Sequence, residues 1–310
     1  MQRNNFYFMD KENQNFGELR NGTCNSMICN NVDACLRLND LVLQSITIFI
    51  CTVGLVETGV VIWFLSLGIQ KVNSVTTYFL NLAVADFGIL TFLLVFAIHS
   101  VHDYLQEIPA CPLPLKTAAF HLFLLAYTTA LYLLTVVSME RLLTVYFPIW
   151  YHSHRPKQTS AIVSCMIWAV SGLLSGTIVL LHYFWSYESS INMIRIICSG
   201  NFLVVTLLVT VSTVTRFIKI CSQQNAPKFI YVTVPLILIC FILFAIPISL
   251  FYFIEYLGYS PPSRIMLICF LLASFNSTMN PVIYYVIGGQ WKRWGWKRTT
   301  GCVPKCLALL

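Results

Sequence analysis

Two carboxylates lie inside apolar stretches of the chain, where an ionisable group is expensive to place. Glu57 lies in the segment IFICTVGLVETGVVIWFL, and Asp86 lies in YFLNLAVADFGILTFLL. A carboxylate at the centre of a lipid-spanning helix costs roughly 2.5–3.5 kcal/mol, so it normally faces other helices. We therefore predict that both side chains belong to one buried polar layer. For Glu57 a purely structural role, paired with a nearby Ser, Thr or Asn, is an equally good interpretation.

A further charged pair, Glu140-Arg141, ends a long apolar stretch. Arginine stays protonated in proteins, so at a membrane edge its guanidinium needs a partner. Glu140 is one such partner, and a protein that docks from the adjoining aqueous side is another. Arg141 is therefore interpreted as half of a two-state switch. The competing interpretation is an arginine that only extends to the membrane surface.

Two prolines lie within later apolar stretches, Pro247 and Pro281. Each removes a backbone hydrogen bond and makes a point where a helix can bend. Tyr284 follows Pro281 by about one turn, and we expect it to swing inward when the helices rearrange. Three polar side chains at helical spacing precede it and are predicted to face Asp86: Asn276, Ser277 and Asn280.

The elements that carry these residues are apolar. Hydrophobic residues make up 57% of the 310 residues and charged residues only 10%, against about a quarter in soluble domains. Seven stretches reach the roughly 20 apolar residues that a membrane-spanning helix needs. They cover 41–67, 75–101, 115–145, 160–184, 197–220, 229–254 and 265–287. We predict an all-α seven-helix membrane bundle over 41–288, between an extracellular tail, 1–40, and a cytoplasmic tail, 289–310.

The loop charges predict the orientation of this bundle. Twelve of the 19 Lys and Arg residues fall on the side that holds the C-terminus, and the only acid there is Glu140. Positive residues favour the cytoplasmic side, which places the N-terminus outside the plasma membrane. The positive charge then lies beside anionic lipid, so we do not expect it to bind nucleic acid.

Other functions fit the residues less well. The twelve cysteines show no zinc-ligand spacing, and we expect neither a metal nor a cofactor. A transporter would show an internal repeat and more midplane charges. An enzyme would need a His or Ser cluster at membrane depth, whereas His99, His102, His121 and His182 lie toward the outer ends and are predicted to be rim residues. A retinal-binding light sensor would need a lysine in the seventh span.

Three motifs in order, NLAVAD (81–86), Glu140-Arg141 and NPVIY (280–284), resemble those of the rhodopsin-like (class A) G-protein-coupled receptors across all seven spans. The segment FPIWYHSHRP (147–156) looks like that of the Mas-related branch, as does FAIP (244–247), which lacks the tryptophan usual in class A. The resemblance implies a receptor that couples to heterotrimeric G proteins, with Pro247, Asp86 and Arg141 in the activation switch. It also implies sodium near Asp86, but Ala130 stands where the family usually supplies a serine, which leaves sodium open.

The outer half departs from the resemblance. Lys116 replaces the usual class A cysteine, and His182 and Ile178 replace a cysteine and an acid of Mas-related receptors. Cys198 would then pair with Cys111 or with an N-terminal cysteine. Lys116, Arg195 and Glu255 are predicted to line the ligand pocket. The balance of charges argues against a polybasic ligand and leaves a peptide, a small amphiphile or an orphan receptor with constitutive or weak signalling.

The two tails carry predicted modification sites. Asn21-Gly22-Thr23 is a glycosylation sequon. The segment 290–298 alternates tryptophan with basic residues, which favours a short amphipathic helix on the membrane surface. Cys302 and Cys306 behind it are well placed for palmitoylation, although two unmodified thiols fit equally well.

Overall fold

A computed structural model of the chain describes the backbone of residues 26–67, 74–106, 113–147, 149, 158–222 and 238–296, with most side chains between 37 and 280 in those segments. All the regular structure in this part of the chain is helical. We call the end of the bundle that holds Glu140 and Arg141 the inner end, and the opposite end the outer end.

The first five spans are single helices: α1 (Ser26–Leu67), α2 (Ser74–Gln106), α3 (Leu113–Tyr146), α4 (Thr159–Phe184) and α5 (Tyr187–Cys221). The sixth span consists of α6 (Phe241–Ala245) and α7 (Pro247–Tyr256), and the seventh is α8 (Ser263–Trp296). Within the described segments, five helices are long and apolar enough to cross a membrane alone, and the bent pair Leu238–Ala245 and Pro247–Tyr256 makes a sixth. This architecture agrees with the predicted all-α bundle.

Helix ends differ from the predicted spans more than helix centres do. Helix α1 begins at Ser26, well before the apolar stretch at 41, and α5 begins at Tyr187 instead of 197. Hydropathy locates only the lipid-embedded part, whereas backbone hydrogen bonds continue the helix into the polar region. Helix α8 likewise runs to Trp296, so the segment predicted as a surface helix continues the seventh span without a break.

The sixth span bends at the predicted proline. Pro247 cannot donate a hydrogen bond to the turn before it. The preceding turn, Phe241–Ala245, is a π-helix, and the two halves of the span meet at 52°. A π-helical turn next to a proline is a known cause of a sharp kink. The local sequence, in which a proline follows the π-helical turn, therefore accounts for the bend.

The third span lies at the centre of the bundle. It buries 56% of its apolar window, against 17% for the first span. Leu131 and Leu133 of α3 pack in one core with Leu82 and Leu90 of α2. Large apolar side chains on the outside of other spans, such as Phe49 and Leu173, are exposed in the way that a lipid-facing surface requires.

The first and seventh spans approach closely at one glycine. A Cβ added at Gly54 would collide with Thr278 Oγ1 and would lie 2.9 Å from Leu90 Cδ1. Only a residue without a side chain allows this approach. The contact brings α8 against α1 and α2, where the polar layer forms.

Candidate functional site: a polar layer, a charged inner end and a hinge

Asp86 and Asn280 meet in the middle of the bundle. Asn280 Nδ2 donates a hydrogen bond of 2.8 Å to Asp86 Oδ2, and both residues are buried. They lie 194 residues apart in the chain, on α2 and α8. This contact brings together two of the residues that the sequence predicted to share a layer.

The layer keeps two unpaired oxygens. Asp86 Oδ1 and Ser277 Oγ are both buried without a hydrogen-bond partner among the described residues. Ser277 precedes Asn280 by three residues and so shares its helix face. Ala130, also buried, offers no oxygen. The side-chain oxygens that the described residues bring to this layer therefore come from Asp86, Ser277 and Asn280.

Glu57 lies at the edge of this layer. The inward position on α1 belongs to the next residue, Thr58, which is fully buried and donates to the Gly54 carbonyl at 2.6 Å. Glu57 itself is half-buried, and its Oε2 has no hydrogen-bond partner in the described structure. Asn276 is also half-buried, one residue away from the inward face of α8. A step of one residue turns a helical side chain by about 100°, which separates both from the Asp86–Asn280 contact.

At the inner end Glu140 and Arg141 make contacts with α2. Tyr78 Oη donates a hydrogen bond of 2.8 Å to Glu140 Oε1. The Arg141 guanidinium carbon lies 5.6 Å from the centre of the Phe79 ring, within cation–π range. Neither Tyr78 nor Phe79 was singled out from the sequence.

Arg216 is a further charged residue that sequence reasoning missed. It is buried on α5, within electrostatic range of Arg141, and its Nε has no hydrogen-bond partner in the described residues. The signal was present, because Val205, Val209, Ser212 and Arg216 follow the spacing of one helix face. From the sequence, Arg216 was counted only as a cytoplasmic positive charge, and its side chain was not predicted to point into the bundle.

A tyrosine joins the third span to the bend of the sixth. Tyr127 Oη donates to the Ala245 carbonyl at 2.7 Å and lies 3.0 Å from Ser249 Oγ. Ala245 ends the π-helical turn, and Ser249 follows Pro247 by two residues. Tyr127 therefore bonds to both sides of the hinge. Tyr127 was not singled out from the sequence.

Two other part-buried hydrogen bonds join neighbouring helices. Tyr132 Oη donates to Asn201 Oδ1 on α5 at 2.9 Å. Trp168 Nε1 on α4 donates to Asn81 Oδ1 at 3.1 Å, which uses the first residue of the NLAVAD motif. The first of these bonds joins the third span to the fifth, and the second joins the fourth span to the second.

The outer end is held by ion pairs. Arg195 Nε lies 3.2 Å from Glu255 Oε2 and joins α5 to α7, while Arg264 Nε lies 3.2 Å from Asp40 Oδ1 and joins α8 to α1. Arg195 and Glu255 therefore neutralise each other at the predicted pocket rim. The side chain of Lys116, the third predicted rim residue, lies outside the described residues.

Cys198 lies inside the bundle and carries a free thiol. It lines a small apolar pocket between α3, α4 and α5 together with Leu124, Ile178 and Ile194. The structure therefore does not bear out a Cys111–Cys198 disulfide: Cys198 is buried three turns below the outer end of α5, although Cys111 itself lies outside the described residues.

Several predicted residues lie outside the part that can be described. These are the side chains of Pro281 and Tyr284, the sequon at Asn21, and the thiols of Cys302 and Cys306. Their roles stay predictions. Among the residues that are described, no group of three or more His, Cys, Asp or Glu could hold a metal ion.

Comparison with known proteins defines the class to which this arrangement belongs. The model of the 7 transmembrane receptor (rhodopsin) family matches residues 57–284, and the chain belongs to this family. It is 33% identical to human Proto-oncogene Mas over 79% of this chain and 76% of that protein. It is 31% identical to mouse Mas-related G-protein coupled receptor member B4, over 79% and 77%, and to human member D, over 81% and 79%.

The chain is thus a G-protein-coupled receptor of the Mas-related type, as the motifs predicted. Proteins of this family are multi-pass membrane receptors and not enzymes. G-protein signalling is implied by the family. The contacts of Asp86, Tyr127 and Arg141 described above are the features of this chain on which a signalling mechanism can be built.

Proposed function

We propose that this receptor transmits the binding of an extracellular peptide or small amphiphilic molecule to a heterotrimeric G protein through movement of the sixth span. The carrying observation is the pair of hydrogen bonds by which Tyr127 holds both sides of the 52° bend at Pro247. A ligand that displaces the third span acts directly on that hinge. The inner end of the sixth span then moves relative to Arg141.

Arg141 is the residue that meets the G protein. In the present arrangement its guanidinium stacks on Phe79, and Glu140 is bound by Tyr78. When the inner end opens, the guanidinium turns into the opening and donates to the docked helix, which uses the planar set of donors that distinguishes arginine from lysine. The Asp86–Asn280 contact holds α2 and α8 together beneath the moving part. Tyr284 fills the space that the sixth span leaves.

The ligand class follows from the outer half. Arg195 and Glu255 pair with each other, so Glu255 does not offer an uncompensated charge to a polybasic ligand. A ligand with one polar end and an apolar body suits a rim whose charges are paired and which lies on an apolar helix bundle.

The orientation that this function needs is N-terminus outside. The basic residues gather at the inner end and in the C-terminal tail, and Glu140 is the only acid on that side. This charge distribution supports an inner end that faces the cytoplasm and its anionic lipids. The sequon at Asn21 would then be exposed to the glycosylation machinery.

The test is a G-protein dissociation assay in cells that compares the intact receptor with Arg141→Ala at equal surface expression. We expect a basal or ligand-driven signal from the intact receptor and at least a tenfold loss in the variant. The matched control is Arg37→Ala, which removes an exposed charge from the far end of α1 and leaves the signal unchanged.

Two outcomes of this assay would contradict the proposal or its interpretation. A signal that survives Arg141→Ala undiminished, at equal surface expression, would contradict the role given to this side chain. A loss that Arg37→Ala reproduces would show that removal of positive charge in general is responsible.

A further inference from the structure

A buried histidine near the outer end has no hydrogen-bond partner. His121 on α3 is only 6% exposed, and neither Nδ1 nor Nε2 is paired in the described structure. Burying an imidazole with both nitrogens unpaired is costly. A group that bonds to one of these nitrogens would remove that cost, and the described residues do not supply one.

The neighbour of His121 on the fourth span is another histidine. The ring centres of His121 and His182 are 5.7 Å apart, with an angle of 67° between the rings. Ser175 of α4 donates to the His121 backbone carbonyl at 3.1 Å, which holds the two helices together at this level. His182 lies two residues before the end of α4 and is half-buried, so the pair is reached from the outer end.

From these two residues we propose that His121 and His182 form a binding site for a transition-metal cation such as Zn²⁺, which joins the third span to the fourth. Imidazole nitrogen is a preferred ligand of Zn²⁺ and Cu²⁺.

The spacing of the two rings fits this geometry. With a metal–nitrogen distance of about 2.0–2.1 Å, two imidazoles on a tetrahedral ion have ring centres roughly 5.2 Å apart. The separation rises to about 6.4 Å when the two rings lie on opposite sides of the ion. The observed 5.7 Å falls between these values. Binding then requires the two side chains to rotate until one nitrogen of each points at a common centre.

The site differs from the metal sites that sequence spacing detects. His121 and His182 are 61 positions apart on different helices, so no short motif announces them. Two histidines supply two of the four positions of a tetrahedral zinc ion, fewer than the three protein ligands of an open catalytic site, so water or a ligand must complete the coordination. The metal therefore binds reversibly and regulates the receptor; folding does not depend on it.

The position of the site also agrees with the proposed role of α3 in holding the hinge of the sixth span. His121 precedes Tyr127 by six residues on the same rigid helix, and Tyr127 bonds to the hinge of the sixth span. A cation that fixes α3 against α4 restricts the movement of that helix. Binding itself can be measured without any signalling assay, so it does not depend on the proposed function.

The experiment uses the purified full-length receptor in lipid nanodiscs and follows its thermal unfolding as ZnCl₂ is added. We expect a saturable rise in the unfolding temperature of the intact receptor and none with MgCl₂, because Mg²⁺ prefers oxygen ligands. His121→Phe and His182→Phe keep a packed ring in place and should each weaken the apparent zinc affinity at least tenfold. His99→Ala, which removes an outer-end histidine of α2, should leave it unchanged.

The proposal is overturned if zinc does not stabilise the intact receptor, if both Phe variants keep its affinity, or if His99→Ala loses the response. A second measurement needs no variant to fold. The electron paramagnetic resonance spectrum of Cu²⁺ bound to the intact receptor should show coupling to two imidazole nitrogens. A spectrum without nitrogen coupling would also overturn the proposal.

Discussion

At the inner end and in the middle of the bundle, neighbouring helices are joined by buried hydrogen bonds, such as Asp86 to Asn280 and Tyr127 to the hinge carbonyl. At the outer end the joining contacts include two ion pairs, Arg195 with Glu255 and Arg264 with Asp40, in which the arginine side chains are 32% and 35% exposed. A buried hydrogen bond to a charged group is worth more than a wet ion pair. The inner half is therefore built as a fixed frame with one hinge, and the outer half is the more adaptable surface.

The largest expected effect comes from removing the amide of the polar layer. Asn280→Leu removes the amide that donates to the buried Asp86 carboxylate, and the loss should destabilise the receptor by about 2–3 kcal/mol. The thermal unfolding of the purified receptor measures it. If the unfolding temperature does not fall, the inner half is not the fixed frame described above.

The control for this prediction is the double variant Asp86→Leu with Asn280→Leu. Replacing both partners by apolar groups removes the unpaired carboxylate, so the double variant should be more stable than Asn280→Leu alone. A double variant that loses the sum of the two single effects would mean that the contact contributes nothing as a pair.

A smaller effect is expected at the hinge. Tyr127→Phe removes the bonds to Ala245 and Ser249 but keeps the ring, at a cost of about 1–2 kcal/mol. Because these bonds hold both sides of the bend, we expect basal G-protein signalling to rise several-fold at equal surface expression. Tyr132→Phe is the matched control, since its hydroxyl bonds to Asn201 on the fifth span and not to the hinge.

An unchanged basal signal in Tyr127→Phe would remove the hinge from the mechanism. An equal rise in Tyr132→Phe would show that any loosening of the third span activates the receptor. Either result would shift attention from the sixth span to the packing of α3 as a whole.

The sequence predicted the elements of this fold well, because apolar length and proline chemistry act locally. The seven helices and the bend at Pro247 follow from such local rules. The Asp86–Asn280 contact was also predicted, from the helical spacing of Asn276, Ser277 and Asn280. These features depend little on how neighbouring helices rotate about their axes.

The misjudged residues all depend on that rotation. Thr58, and not Glu57, takes the inward position on α1, a difference of one residue that no composition reveals. His121 was assigned to the rim and is buried. The Cys198 thiol points into an apolar pocket and not toward a disulfide partner. Which polar residue faces which is decided by the packing of several helices together, and this information is spread over the whole chain.

The smallest expected effect tests the outer half. In a double-mutant cycle with Arg195→Ala and Glu255→Gln, the coupling in thermal stability should be about 0.5 kcal/mol, because the ion pair is partly wet. The coupling should shrink further as salt is raised, since ions screen exposed charges. Arg195 also contacts Asn192 at 3.3 Å, so Asn192→Ala serves as the control that removes a neighbour without touching the charge pair. A coupling above about 2 kcal/mol that resists salt would make the outer end as firmly joined as the inner one, and ligand entry would then require this ion pair to break.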